Sequence, residues 1–221
     1  GGQRESSYHL TLLAKNRVGF RNLLELSTKA FLEGFYFKPR IDKELLEAHS
    51  EGLICLSGCL SSEFSRSLIG SSRQQRESLE EGKRIAGWFS KIFGDRYFIE
   101  IQNNGLELQQ MVMQSALEIS KEMGLPSVAT CDCHYVNRED AEAQDILLCV
   151  NTGRFRSDAN RMKMDTDEFY LKSPSDMQLA FPELDESLVR SQQIADSVSI
   201  ELELGKRHFP GFDLPTGVTA S

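Results

Sequence analysis

The chain has 221 residues, 40% of them hydrophobic, and a formal charge of -8 from 33 acidic and 25 Lys or Arg side chains. That is enough for one large domain or two small ones, and the acidic balance argues against a protein that grips long stretches of phosphate backbone, so any nucleic-acid contact is expected to be local. No apolar run approaches the ~20 residues that span a bilayer, and no charged-then-apolar segment opens the chain, so a cytoplasmic protein with no membrane partner is expected. The 5 cysteines lack the spacing of a disulfide framework and are expected as reduced thiols.

In chain order, Tyr8 to Ala14 reads as a strand, and a helix follows from about Val18 to Leu32 with Phe20, Leu23, Leu24 and Phe31 on its apolar side. A second strand lies between Gly52 and Gly58, then helical text runs from about Ser72 to Phe93. The third strand is Tyr97 to Gln102, and its helix, marked by Leu108, Val112, Ala116 and Ile119, stops at Gly124-Leu125-Pro126. Pro126 to Thr130 starts a fourth strand that runs into Cys131-Asp132-Cys133-His134, and a helix opening at Arg138 carries Ile146 and Leu147 toward Val150. Repeated β-then-α units predict an α/β fold of parallel strands with helices outside, either an open doubly wound sheet or a barrel.

After Gly153 the texture changes. A polar stretch leads to Phe169-Tyr170-Leu171, Ser173-Pro174 supplies a cap and a first-turn proline, and a helix around Leu184, Leu188, Ala195 and Val198 follows. Residues 210–221 read as a tail or linker. The expected division is 1–150, 151–209 and 210–221.

Both β/α architectures place their sites at the carboxyl ends of the strands. Asp132 and His134 are alternate residues, so on a strand they share a face and offer an oxygen and a nitrogen donor side by side, which suits a divalent metal. The plain alternative is a helix-capping Asp with a surface His beside it. Cys59, just past the glycine that ends the second strand, is a candidate thiolate ligand or else a buried structural cysteine. His9 is a candidate ligand or a hydrogen-bonded core residue. A structural zinc on Cys55, Cys59, Cys131 and Cys133 fits poorly, because the spacings are not those of zinc ribbons and strand parity turns Cys131 and Cys133 toward the helices. His49 reads as loop surface, and His208 lies near the terminus with no nameable partner.

Taken together, His9 to Asn16, Glu33-Gly34-Phe35-Tyr36-Phe37-Lys38-Pro39-Arg40-Ile41-Asp42, Leu56 to Leu60, Val128 to Tyr135, Leu147 to Gly153 and Asp167 to Pro174 closely resemble the polymerase and histidinol phosphatase (PHP) domain of bacterial replicative DNA polymerase III alpha subunits, the family C polymerases. The resemblance runs from Tyr8 to about Pro210. It implies part of a distorted (β/α)7 TIM-like barrel with a helical C-terminal extension, the first 150 residues being PHP domain and residues 151–209 its end and the connection toward a polymerase core.

By position, His9, Cys59, Asp132 and His134 correspond to metal ligands of that family, with Asp132 and His134 closest to the chemistry. The family uses up to three divalent transition metals, zinc or manganese, as a 3′-5′ proofreading exonuclease, and magnesium in a polymerase core that this sequence does not contain. In other lineages the domain is a catalytically silent scaffold. DNA and other replicase subunits are the implied partners. The family's remaining ligands, a His-x-His pair, an Asp, a His and a Glu, belong upstream of Gly1, so the chain reads as a piece beginning inside the domain and is expected to be inactive alone. One departure is Gln102-Asn103-Asn104-Gly105, where many relatives carry an Asp-His pair before the glycine.

Overall fold

The computed structural model describes residues 7–69 and 75–207. His208, the 210–221 segment and the start of the helix expected from Ser72 lie outside them.

The sheet has four strands in the order β1 (Thr11–Ala14), β2 (Leu53–Leu56), β3 (Tyr97–Gln102) and β4 (Ser127–Thr130). β2, β3 and β4 are parallel as expected, but β1 is antiparallel to β2, with Thr11 opposite Leu56 and Ala14 opposite Leu53. The expectation of four parallel strands is therefore corrected. The cause lies in the 33–52 connection. After α1 (Arg17–Leu32), a loop and a second helix, α2 (Lys43–Ala48), which the sequence pattern did not reveal, return the chain to the end of β1 that it had left. There the Lys15 N–H donates to the Gly52 carbonyl at 2.8 Å, and β2 starts where β1 stopped. Asp42 caps α2 by accepting from the Leu45 N–H at 2.8 Å, which leaves His49 as its C-terminal cap residue.

The remaining helices are α3 (Glu63–Leu68), α4 (Gln75–Phe93), α5 (Glu107–Met123), α6 (Ala141–Thr152), α7 (Pro174–Ala180) and α8 (Asp185–Asp196). Every residue of β2 is buried, as befits a strand covered on both faces. Leu53 and Cys55 join Tyr97, Ile99, Ile101 and Ala129 on the face packed by Ile85, Phe89 and Phe93 of α4 and by Ala116 and Ile119 of α5. Ile54, Leu56 and Val128 on the other face meet Ile194 of α8. The molecule is thus a mixed α/β fold with helices on both faces of the sheet.

In α1 the buried side runs through Gly19, Leu26 and Ala30, while Leu24 and Phe31 of the expected apolar side are exposed. α5 ends as the sequence indicates, with Gly124 in the left-handed conformation at φ 63°. Among the described residues no helix is long and apolar enough to cross a membrane.

Candidate metal centre

The reversal of β1 builds one half of the site. Because β1 runs against β2, the residues preceding β1 lie at the carboxyl end of β2, which is where His9 is found. Its N–H donates to Ser61 at 3.1 Å, and it forms a parallel bridge with Ser62. At the same end Gly58 adopts φ 88°, and a Cβ there would come within 2.8 Å of the Ser62 side chain, so only glycine makes the turn into Cys59. The outcome is a Cys59 Sγ to His9 Nδ1 distance of 3.5 Å. His9 also opens onto a groove of about 1420 Å³ whose walls include Leu12, Lys38, Arg40, Glu63 and Phe64.

The second half lies past β4. The strand ends at Thr130, so the Cys131 to His134 tetrad is a loop rather than strand, a correction to the parity argument. The Cys133 N–H donates to the Cys131 carbonyl at 3.0 Å, a three-residue turn with Asp132 at its apex. Asp132 and His134 still meet, with His134 Nε2 3.2 Å from Asp132 Oδ1 and both side chains over one-third exposed, at 37% and 38%. The His134 ring stands edge-on to Phe169, and its backbone N–H donates to the Phe169 carbonyl at 2.7 Å. Cys131 and Cys133 do not turn to helices. Their thiols donate to the carbonyls of Tyr170 and Tyr135, at 3.1 and 3.2 Å. Cys55 is fully buried, and burial pushes its thiol pKa far up, so it makes a poor ligand and the four-cysteine zinc loses a member.

Two residues outside the sequence-derived candidates organise these loops. Asn104, 1% exposed, donates from Nδ2 to the Glu168 carbonyl at 2.9 Å and, weakly, to that of Asp132 at 3.5 Å. Its own carbonyl accepts from Thr166 at 2.6 Å, and its side-chain oxygen accepts from Gln109 at 3.1 Å. The 102–105 loop is therefore a junction for the Asp132 turn and the 166–168 segment. Glu100, buried in β3, is the other. Desolvation raises its carboxyl pKa, opposed by hydrogen bonds from Thr130, Gly58, Thr11 and Gln102. A lone acidic residue in the otherwise apolar Tyr97 to Ile101 run was the available signal for it.

Both pairs have spacings a metal ion accepts. With Zn–N bonds of ~2.0 Å and Zn–S bonds of ~2.3 Å, a tetrahedral ion sets its nitrogen and sulfur donors about 3.5 Å apart, and its nitrogen and oxygen donors about 3.3 Å apart. The observed separations are 3.5 Å for Cys59 and His9 and 3.2 Å for His134 and Asp132. The structure brings the candidates together two by two. Among the described residues no group of three or more His, Cys, Asp or Glu side chains that could hold a metal ion is formed.

Residues 2–104 match the family model for the PHP domain. Beyond those residues the similarity continues along nearly the whole chain, to bacterial DNA polymerase III subunits alpha. The chain is 44% identical to that of Borreliella burgdorferi over 209 residues, 95% of its own length and 17% of the relative's. It is 43% identical to that of Treponema pallidum, covering 94% of this chain and 17% of the relative, and 43% identical to that of Thermus aquaticus, covering 96% and 17%. The chain is thus similar to the PHP-domain model over residues 2–104 and spans about one-sixth of the length of these polymerase subunits.

Proposed function

We propose that this chain serves as the PHP region of a bacterial replicative DNA polymerase alpha subunit, with residues 1–150 in a PHP barrel of the (β/α)7 type and residues 151–209 leading toward the polymerase core. Its work there is metal-dependent 3′-5′ hydrolysis of DNA ends during replication. The observation that carries the reading is the pair of donor spacings, each matching an edge of a metal's coordination shell.

In this reading His9 with Cys59, and Asp132 with His134, hold zinc or manganese. Two donors per pair leave positions for water, for a phosphate oxygen and for ligands from elsewhere in such a subunit. The ion, when bound, supplies Lewis acidity and a water of lowered pKa. The chain's own residues fix where it sits. The γ-turn holds Asp132 at its apex, Phe169 orients the His134 ring, and Gly58 aims Cys59 at His9. DNA and the other replicase subunits are the partners, and the cytoplasm is the place of action. The polymerase reaction itself, with its magnesium, belongs to parts of such subunits that lie outside this chain.

The test is metal binding joined to cleavage. Titration of the purified chain with zinc or manganese, followed by calorimetry, is expected to show weak binding, reduced by Cys59→Ala and by Asp132→Asn. An alpha subunit carrying this stretch is expected to shorten 3′ ends of primer DNA with manganese, and Asp132→Asn is expected to abolish that. Failure of the chain to bind any transition metal, with cleavage indifferent to Asp132→Asn, would leave the scaffold reading in possession.

A further inference from the structure

We infer that Glu100 is the positioning residue that holds the two donor pairs in register, through hydrogen bonds from one carboxylate to the three chain segments that carry them. The inference rests on the metal-binding reading of His9, Cys59, Asp132 and His134.

The two carboxylate oxygens divide the site between them. Oε2 accepts from the Gly58 N–H at 3.0 Å and, more weakly, from Thr11 Oγ1 at 3.4 Å. Gly58 adjoins Cys59, and Thr11 stands two positions after His9. Oε1 accepts from Thr130 Oγ1 at 2.6 Å and from Gln102 Nε2 at 3.3 Å. Thr130 stands two positions before Asp132. One side chain thus reaches the His9 segment, the Cys59 turn and the strand end that launches the Asp132 turn.

The backbone of Glu100 adds a further link. Its N–H donates to Ser57 Oγ at 2.9 Å, continuing the β2–β3 ladder beyond the last residue of β2 by means of a side chain. A buried carboxylate inside a sheet is costly to desolvate, and β3 would be served there by valine or isoleucine if packing were its only duty. The geometry offers a second duty. The carboxylate receives four donors, and three of them, Gly58, Thr11 and Thr130, lie within two residues of a ligand. Groups that orient ligands in this way typically carry tenfold or more of metal affinity.

Cobalt(II) is a suitable probe, because a cobalt–thiolate bond absorbs in the near ultraviolet and reports Cys59 directly. The protein is titrated with Co²⁺ alongside variants, with urea denaturation measured on each. Glu100→Gln retains hydrogen-bonding atoms on both sides, and the Thr130 hydroxyl can reverse to accept from the new amide, so cobalt affinity within about threefold of the parent is expected. Glu100→Met, of similar length but with no strong acceptor, is expected to lose the thiolate band or weaken binding about tenfold or more. Thr130→Val, which deletes the 2.6 Å bond and a weak 3.4 Å bond from Gln102, is expected to give an intermediate loss and guards against a Glu100→Met protein that does not fold.

A folded Glu100→Met protein with the parent's spectrum and affinity would show a purely structural residue and overturn the inference, as would Thr130→Val binding like the parent if Glu100→Met does not fold. Glu100→Gln as damaged as Glu100→Met would show that charge, not hydrogen bonding, acts, and would overturn it equally. Absence of any cobalt–thiolate band in the parent would instead refute the metal-binding reading, and this inference with it.

Discussion

A Cβ on Gly19 would lie 1.8 Å from the Gly52 carbonyl oxygen, so α1 touches the turn before β2 backbone to backbone. This contact sits beside the Lys15 to Gly52 hydrogen bond that closes the reversal between β1 and β2. It therefore guards the antiparallel pairing that carries His9 to the carboxyl end of β2. Gly19→Ala is expected to destabilise the protein by about 2 kcal/mol or more, because the obstacle is main chain and cannot rotate away. Urea denaturation checks this, and a loss below about 0.5 kcal/mol would mean that the contact is slack.

Asn104 supports the other half of the site. Replacing it by alanine removes one of two donors to the Glu168 carbonyl, which keeps Lys172, and leaves the buried Gln109 Nε2 group without its Asn104 acceptor, at a cost of about 1–3 kcal/mol. Because the same amide reaches the Asp132 carbonyl, the loss is expected to spread to the loop. Amide hydrogen exchange should quicken at Cys133 and His134 in Asn104→Ala while β2 stays protected. Unchanged exchange there would confine Asn104 to its own turn.

Much of this was legible in the sequence, for reasons that also mark the limits. The β3 and α5 segments announced themselves by apolar residues at the right period and by Gly124 at the helix end. The three parallel strands followed from β-then-α alternation. The direction of β1 did not, since it depends on α2, which has only six residues and one buried side chain, Leu46, too little for periodicity to register. The pairing of His9 with Cys59 came from family position, while the geometry that delivers it came from that unforeseen reversal. Asp132 and His134 were paired on strand parity, yet meet across a γ-turn. Glu100 shows in the sequence only as an acid within an apolar run and Asn104 only as part of an unusual loop, because the groups they bind, such as Gly58, Thr130 and the Glu168 carbonyl, lie far off along the chain.

The cysteines should separate by reactivity. Cys133 is exposed, Cys59 is half-buried, and Cys55 is buried with its thiol pKa pushed up, so thiolate is scarcest there. With a brief pulse of iodoacetamide near neutral pH, mass spectrometry is expected to find Cys133 modified early and Cys55 unmodified until the protein unfolds. Zinc should protect Cys59 and leave Cys133 labelled. Protection of Cys133 in place of Cys59 would move the metal away from His9.

Glu100 also gives the protein a dependence on pH whose sign follows from its burial. Its carboxyl pKa is raised in the folded state, chiefly by desolvation, so between the ordinary glutamate value and the raised one the native state holds a proton that the unfolded chain releases. Stability from this group is therefore present at acid pH and lost as pH rises through that window. Glu100→Gln keeps the amide neutral throughout and removes the loss. Urea midpoints for parent and variant are expected to lie closest near pH 4 and to diverge toward pH 7, with the variant the more stable at the upper end. Divergence in the opposite sense would mean that the hydrogen bonds from Thr130 and Gly58 outweigh desolvation and hold the carboxylate ionised.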